Sequence, residues 1–586
     1  MKKFIIGYLA FCTNHGQARC QSKMASKNDS SQVSSCLNHS DQAKDSRAGL
    51  SQEPIRPSPP NQRHDEGFRT EATDSRQKPG DKAQPGGTWG EAKLKKEPEC
   101  HMQLDKLCPN RNHTVLIDTN KFLHDRIVPY RGQHVWDSKH VKLPPHYPGN
   151  SKESRWAATQ RALHGLMRHR GVSVGDVEGA IKTYNQAHNK DWNFDALRMY
   201  AHESKHETDF SKVIFKMANL ALRLPELIQH PIPLLRQNCN LAITLSQEQI
   251  SCLLANAFFC TFPHRNASHH GSEYSNFPTI NFSRLFAENS PRTFQKLRAL
   301  FHYFNTVTED GTKPNGLVTF ERICISSSEY PEWNKRTENL TNLCVYDNGF
   351  IEKEGKGMLQ VDFAADLIGG GVLGRGLVQE EIRFLQCPEL IVARLFTERL
   401  SDNECLKITG VQTYSNTLGY SDSFVWHSPH TDNTKRDEWK RRYCQIVAID
   451  ATNFKDSKLQ FTETSIKREL LKAYVGFRND PNIPIEYTPA IATGNWGCGA
   501  FKGDPMLKAL IQMMAAAVAQ RDLAYFTFNN KKQAEELQRM HELLKIHKMT
   551  VGKLYNLLQD YCEFSHHHKV KNVFKYISEK INSSNL

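Results

Sequence analysis

Residues 358–384 read MLQVDFAADLIGGGVLGRGLVQEEIRF. An apolar run at 358–363 carries Asp362 near its end, three glycines follow at Gly369, Gly370 and Gly371, and then, seven residues on, Gln379-Glu380-Glu381. The run predicts a strand that delivers a carboxylate to its C-terminal end. Consecutive glycines can take positive φ, and their N–H groups can cradle phosphate oxygens. Adjacent carboxylates repel, so one of them tends to hold a proton near neutral pH. That is the state needed to protonate a leaving oxygen. From these residues alone, a solvated glutamate pair opening a helix stays open as the alternative.

A second dense segment, residues 493–508, reads TGNWGCGAFKGDPMLK. Its glycines are interleaved with Trp496, Cys498 and Ala500, and Asp504 stands at a helix N-cap position with Pro505 at the first helical position. A glycine-rich loop running into a helix N-terminus is a ready diphosphate site. It lacks the Lys-Ser/Thr of a P-loop and the Rossmann spacing, so a plain structural turn stays open here too. Glu380 and Glu381 are neighbours whose side chains point in different directions. They therefore do not match the opposed carboxylates of an ordinary glycosidase, which stand roughly 5–9 Å apart across the bond. One of the pair reads as an acid and the other as a group that orients a sugar.

Around these segments, short apolar runs at 317–319, 343–346, 358–363, 406–409, 446–449 and 523–528 predict strands, with the clearest helix at 505–520. Residues 114–117 predict a further strand. From about 151 to 300 the pattern is mainly helical, and Ser246 caps a helix carrying Ile250, Leu253, Leu254, Ala257 and Phe258 at helical spacing. The expected architecture is an α/β domain at 316–586, a mainly helical accessory domain at 111–315, and a disordered low-complexity tail at 1–110. The tail is rich in Ser, Asp, Gln, Lys and Pro, which cannot build a core. It contains Lys93-Leu94-Lys95-Lys96, which reads as an ordinary solvated charge run in preference to a nuclear-import signal.

The 586 residues carry 76 Lys+Arg against 63 Asp+Glu, a formal charge of +13, which suits an anionic partner without choosing one. Fifteen cysteines with no CxxC pair read as reduced thiols, not a disulfide scaffold. Lys2-Lys3 and the apolar run Phe4 to Cys12 outline a secretory signal within Met1–Cys20. The cysteine pattern favours an N-terminus with no such function. No stretch reaches membrane-spanning length. His566, His567 and His568 lie in a polar region without further ligands, and His64, His140 and His146 form no metal-ligand set, so no metal site is expected.

These motifs resemble the poly(ADP-ribose) glycohydrolase family, whose signature is GGG–x7–QEE preceded by VDFA. Pro231-Ile232-Pro233-Leu234-Leu235, SQEQISCLLANAFFCTFP at 246–263, GMLQ at 357–360, LGY at 418–420, TGNWGCGAF at 493–501 and YFTF at 525–528 are similar to that family in the same order. The resemblance covers roughly 113–564. It implies an α/β, macrodomain-like mixed sheet with flanking helices, and hydrolysis of ribose–ribose O-glycosidic bonds in poly(ADP-ribose). It implies no metal or organic cofactor. Carried over by position, Asp362, Glu380 and Glu381 are the acidic catalytic residues, with Glu381 protonating the leaving ribose oxygen and then activating water. Glu380 would bind ribose hydroxyls, and Asp362 would support the site from its strand.

The Gly369–Gly371 loop and Asn495, Trp496, Gly497, Cys498, Gly499 and Ala500 would hold the diphosphate. Tyr420 and Phe528 match ring contacts at the adenosine end, and Ile351, Glu352, Gln379 and Phe501 match further ligand contacts. Three positions depart from the family: Ala365 replaces an Asn, Lys502 replaces a Gly and would add a cation near the diphosphate loop, and Asn529-Asn530 replaces Gly-Asp. The resemblance further implies poly(ADP-ribose) on modified proteins as partner, a monomer, and work in nucleus and cytoplasm. No membrane or sequence-specific nucleic acid is expected. Ala365 motivates an alternative, a poly(ADP-ribose)-binding paralogue with weak or no hydrolase activity.

Overall fold

Ten strands hydrogen-bond into one mixed sheet in the computed structural model, which describes residues 88–89, 93–148, 154–169, 171–266, 271–567 and 572–584. In chain order the strands are β1 (Thr88–Trp89), β2 (His113–Val115), β3 (Leu241–Ser246), β4 (Leu317–Cys324), β5 (Leu343–Tyr346), β6 (Leu359–Ala364), β7 (Glu404–Thr409), β8 (Ser415–Leu418), β9 (Val425–Pro429), β10 (Gln445–Asp450), β11 (Ile491–Gly494) and β12 (Leu523–Phe526). The sheet order is β1-β5-β12-β11-β6-β10-β7-β4-β3-β2, and β8 and β9 pair separately as a hairpin.

From β5 to β10 in that order the strands are parallel, so their carboxyl ends share one edge. Ligands bind outside that edge in open α/β sheets. Both faces of this part are covered. Along β10, Ile446 and Ala448 face one apolar cluster with Phe320 and Phe384, while Val447 and Ile449 face another with Val361 and Leu510. A strand buried on both faces reads as a continuous apolar run, which is why 446–449 was legible.

Helices dominate before β4, among them Arg155–Arg168, Val174–Thr183, Phe210–Leu222, Gln247–Phe258 and Pro291–Thr308. Ser246 closes β3 and caps the helix after it: its Oγ accepts the Gln249 N–H, and Gln249 Oε1 accepts the Ser246 N–H. The helical region is not free of sheet. β3 pairs with β4 along its whole length and β2 pairs with β3, so the boundary expected at 315/316 runs through one continuous sheet.

Residues 93–110, expected to belong to the tail, are instead ordered onto this body. Leu94, Cys100 and Leu107 are buried, the Glu97 N–H donates to the Gly357 carbonyl, and the Ala490 N–H donates to the Lys95 carbonyl. Three spaced apolar anchors and paired main-chain bonds do this, and an average over composition hides them. The Lys93–Lys96 cluster is accordingly tied in part, with Lys96 Nζ donating to the Glu354 carbonyl at 2.9 Å. Thr88–Trp89, also expected in the tail, pair with β5 as β1; the signal-like Met1–Cys20, the remainder of the tail with His64, and His568 lie outside the described residues. No helix among the described residues is long and apolar enough to cross a membrane.

Candidate active site

A cavity of about 780 Å³ opens at the carboxyl edge of the parallel strands, walled by the segments that follow β5, β6, β11 and β12 and by the β8–β9 hairpin. Glu380 and Glu381 occupy the first turn of the Gln379–Gln386 helix and reach the cavity while remaining almost wholly buried. The positive end of the helix macrodipole favours carboxylates there. Gln379 fastens the helix start to β6, its Oε1 accepting the Phe363 N–H at 2.8 Å.

Main-chain amides hold all four carboxylate oxygens of the pair. Glu380 accepts from Ala365 at 2.9 Å and Gly369 at 2.6 Å; Glu381 accepts from Gly371 at 2.7 Å and Val378 at 2.8 Å. The Gly370 N–H donates to the Leu367 carbonyl. The sequence pointed the triplet's amides at a phosphate; here two of its three N–H groups hold the carboxylates and the third the Leu367 carbonyl. Its glycines are needed for another reason. Gly369 and Gly370 have φ of +80° and +44°, and a Cβ on Gly370 would fall 2.5 Å from Glu381 Oε1 and 2.6 Å from Glu380 Oε2.

Asp362 lies behind the pair, only 1% exposed, and does not line the cavity. Neither carboxylate oxygen has a hydrogen-bond partner among the described residues. Burial first, then the Glu381 charge, push its pKa above the carboxylate range, while Arg383 draws it down. Burial and the charges of Asp362 and Glu381 also push Glu380 up, against the amides of Ala365 and Gly369 that pull it down. Two N–H donors on a carboxylate favour its anion. Asp362 has no such donor to hold its anion.

The second glycine loop forms the opposite wall through Asn495, Gly497, Cys498, Gly499, Ala500 and Phe501. Asn495 is locked by the Tyr525 hydroxyl at 3.0 Å and by Gln533. The Gly497, Gly499, Ala500 and Phe501 amides donate to no protein group among the described residues. The N-terminus of the Pro505–Val518 helix is already closed, because Asp504 Oδ1 accepts from Met506 and Leu507. The unpaired donors of this segment are thus in the loop and not at the helix end. The Trp496 side chain is fully buried, its Nε1 donates to the Ile449 carbonyl at 3.0 Å, and Lys508 sits over its ring. Among glycines, it anchors the loop and leaves the cavity wall to its neighbours. Gly369 likewise acts through its amide on Glu380 and does not line the cavity.

At the outer end Tyr420 and Phe528 are 37% and 54% exposed, with ring centroids 5.4 Å apart. Ile351 and Glu352 line the same cavity, and Glu352 accepts from Gln386 at 3.2 Å. Sequence reasoning missed Arg292, Phe350, Lys353, Arg375 and Arg383 in the wall. Arg383 could have been found from its place two residues after Glu381; Arg292 carries no local signal.

Two family models match the chain: poly(ADP-ribose) glycohydrolase, helical domain, over residues 201–322, and poly(ADP-ribose) glycohydrolase, Macro domain fold, over residues 330–535. Poly(ADP-ribose) glycohydrolase 1 of Arabidopsis thaliana is 33% identical over 440 residues, covering 60% of this chain and 78% of that protein. The chain belongs to the poly(ADP-ribose) glycohydrolase family. Poly(ADP-ribose) glycohydrolase 1 of Caenorhabditis elegans is 33% identical over 421 residues, with 67% of this chain and 51% of that protein covered. A crystal structure of the Deinococcus radiodurans glycohydrolase with ADP-ribose aligns at a TM-score of 0.24 and 15% identity, over 38% of this chain and 94% of that one.

The departures from the family pattern sit in separate local settings. Asn529 has φ +63°, a left-handed conformation that asparagine tolerates best after glycine. Asn530 caps the Lys531–Ile546 helix, accepting the Gln533 N–H, a task for which asparagine and aspartate are near equals. Lys502 takes φ +60°, is exposed and does not line the cavity, so the cation expected near the diphosphate loop is not in the wall. Ala365 does line the cavity, and its amide holds Glu380.

Proposed function

We propose that this cavity hydrolyses the ribose–ribose O-glycosidic bonds of poly(ADP-ribose) and releases ADP-ribose. The observation that carries the reading is Glu381, buried at the cavity wall with both oxygens fixed by the amides of Gly371 and Val378. A carboxyl held so rigidly meets the positional demand of proton transfer. Glu381 protonates the leaving ribose oxygen as its bond to the anomeric carbon breaks. The same carboxylate then takes a proton from water, whose oxygen closes on that carbon, and the acid is restored.

Glu380 orients the ribose hydroxyls with the lone pairs its two amide bonds leave free. Burial and the neighbouring carboxyl charges raise the pKa of both Glu380 and Asp362, so the three carboxyls do not all carry charge together near neutral pH. The amides of Gly497, Gly499, Ala500 and Phe501 receive the diphosphate, and Tyr420 and Phe528 stack on the adenine. No metal or organic cofactor takes part in this scheme. We further propose a monomer acting on modified proteins in nucleus and cytoplasm, with residues 316–586 as the catalytic part and 111–315 as its accessory.

One observation favours a second reading. Ala365 puts a methyl in the wall where the family has an amide, so a poly(ADP-ribose)-binding protein with weak turnover is the alternative. Incubating the chain with automodified polymer separates the two. Free ADP-ribose as the released product supports hydrolysis; retained, uncleaved polymer supports the binder.

A further inference from the structure

Lys296 is fully buried in the Pro291–Thr308 helix, and its ammonium is given over to main-chain carbonyls. It donates to Gly371 at 3.0 Å, Val372 at 3.2 Å and Gly374 at 2.7 Å, and also to Gly376. These four carbonyls run from the last glycine of the triplet toward the Glu380–Glu381 turn. Gly371 is pinned on both sides: its carbonyl meets Lys296, while its N–H, in the peptide unit whose Gly370 carbonyl accepts from Arg394 at 3.1 Å, is on Glu381 Oε1 at 2.7 Å. Charged groups around the ammonium are Glu381, Glu288, Arg292 and Arg394, and burial lowers its pKa to about 8. A buried cation with these partners makes the loop's shape depend on the lysine.

The same helix grips the hairpin that carries the aromatic end of the cavity. Gln295 Oε1 accepts the Trp426 N–H at 3.0 Å, Arg298 donates to the Trp426 carbonyl at 3.2 Å, and His302 Nε2 lies 3.0 Å from the Tyr414 carbonyl. Arg292 donates to Ser421 and Asp422, directly beside Tyr420.

We propose that Lys296 is a positioning residue for Glu381: it gathers the 371–376 loop and so holds the Gly371 amide on the acid. Through it a helix of the helical region takes part in turnover. The proposal deepens the acid–base reading of Glu381 and rests on it.

Lys296→Met removes the donors at similar length, and Lys296→Gln keeps two of them without the charge. Turnover of labelled poly(ADP-ribose), KM for the polymer, and ADP-ribose binding by calorimetry are measured on each full-length chain. In Lys296→Met we expect kcat to fall by on the order of 100-fold, with KM within about threefold and one ADP-ribose still bound per chain. Lys296→Gln should fall in between. A kcat within twofold of the parent in either variant overturns the proposal. So does failure of both to fold, which would assign the lysine to the stability of the core. Should Lys296→Met alone fail, Lys296→Gln decides by the same criteria. Glu381→Gln runs alongside: turnover lost there but kept in the lysine variants sinks the lysine proposal alone, whereas turnover kept in Glu381→Gln sinks the acid–base reading itself.

Discussion

Replacing Gly370 with alanine puts a methyl group where two carboxylates already stand. The added carbon would lie 2.5 Å from Glu381 Oε1 and 2.6 Å from Glu380 Oε2, so each must retreat by about 1 Å to regain ordinary contact. Those oxygens are held by amides on the same loop, and moving them strains four hydrogen bonds. A misplacement of about 1 Å in a catalytic group costs on the order of 100-fold in rate. The backbone cost is smaller, roughly 1–2 kcal/mol for a side chain at left-handed φ. At about 2–4 °C per kcal/mol for a large domain, melting should fall by only a few degrees. Release of ADP-ribose from labelled polymer, paired with a thermal melt, reads both quantities. A variant that melts normally and turns over within twofold of the parent would refute the reasoning, because the carboxylates would then have no need of their observed positions.

Restoring the family's amide with Ala365→Asn should raise turnover by roughly tenfold or more, the worth of one polar contact; an unchanged rate counts against the binding-protein alternative. A carboxyl whose pKa is raised on folding contributes stability in full below the ordinary value, about pH 4, and loses that contribution as pH rises through the folded value. Asp362→Asn should therefore flatten the decline of melting temperature between about pH 4 and about pH 8, the folded value of Asp362, and a variant with the parent's slope would show that Asp362 is ionised throughout. Trp496→Ala should cost about 3–5 kcal/mol of stability, measured by denaturant melts. A variant that stays stable but shows a raised KM would return Trp496 to the substrate wall.

Much of the cavity could be read along the chain because its parts are contiguous. The strand with Asp362, the glycine triplet and the Gln379–Gln386 helix follow one another, and so do β11, the second glycine loop and the Asp504-capped helix. Residue type and spacing specify such units locally. What the chain hides depends on distance. Lys296 lies 75 residues from Gly371, and nothing in the text of its helix says that its ammonium meets four carbonyls. Trp496 entered the site with its loop through the family resemblance; its side chain's burial goes with the Ile449 carbonyl of β10, a partner 47 residues away. β3 was hidden too, since Leu241–Ser246 runs directly into a strongly capped helix whose signal dominates that window. The glycine amides were assigned to phosphate on motif grounds, and only geometry reveals that Glu380 and Glu381 already hold two of them.

The account stands most directly on Glu381. Glu381→Gln keeps the side chain's size and one oxygen acceptor but removes the transferable proton. Single-turnover cleavage of end-labelled poly(ADP-ribose) should fall by roughly a hundred- to ten-thousand-fold, while ADP-ribose continues to bind at one per chain. Cleavage at the parent's rate by that variant would contradict the central claim.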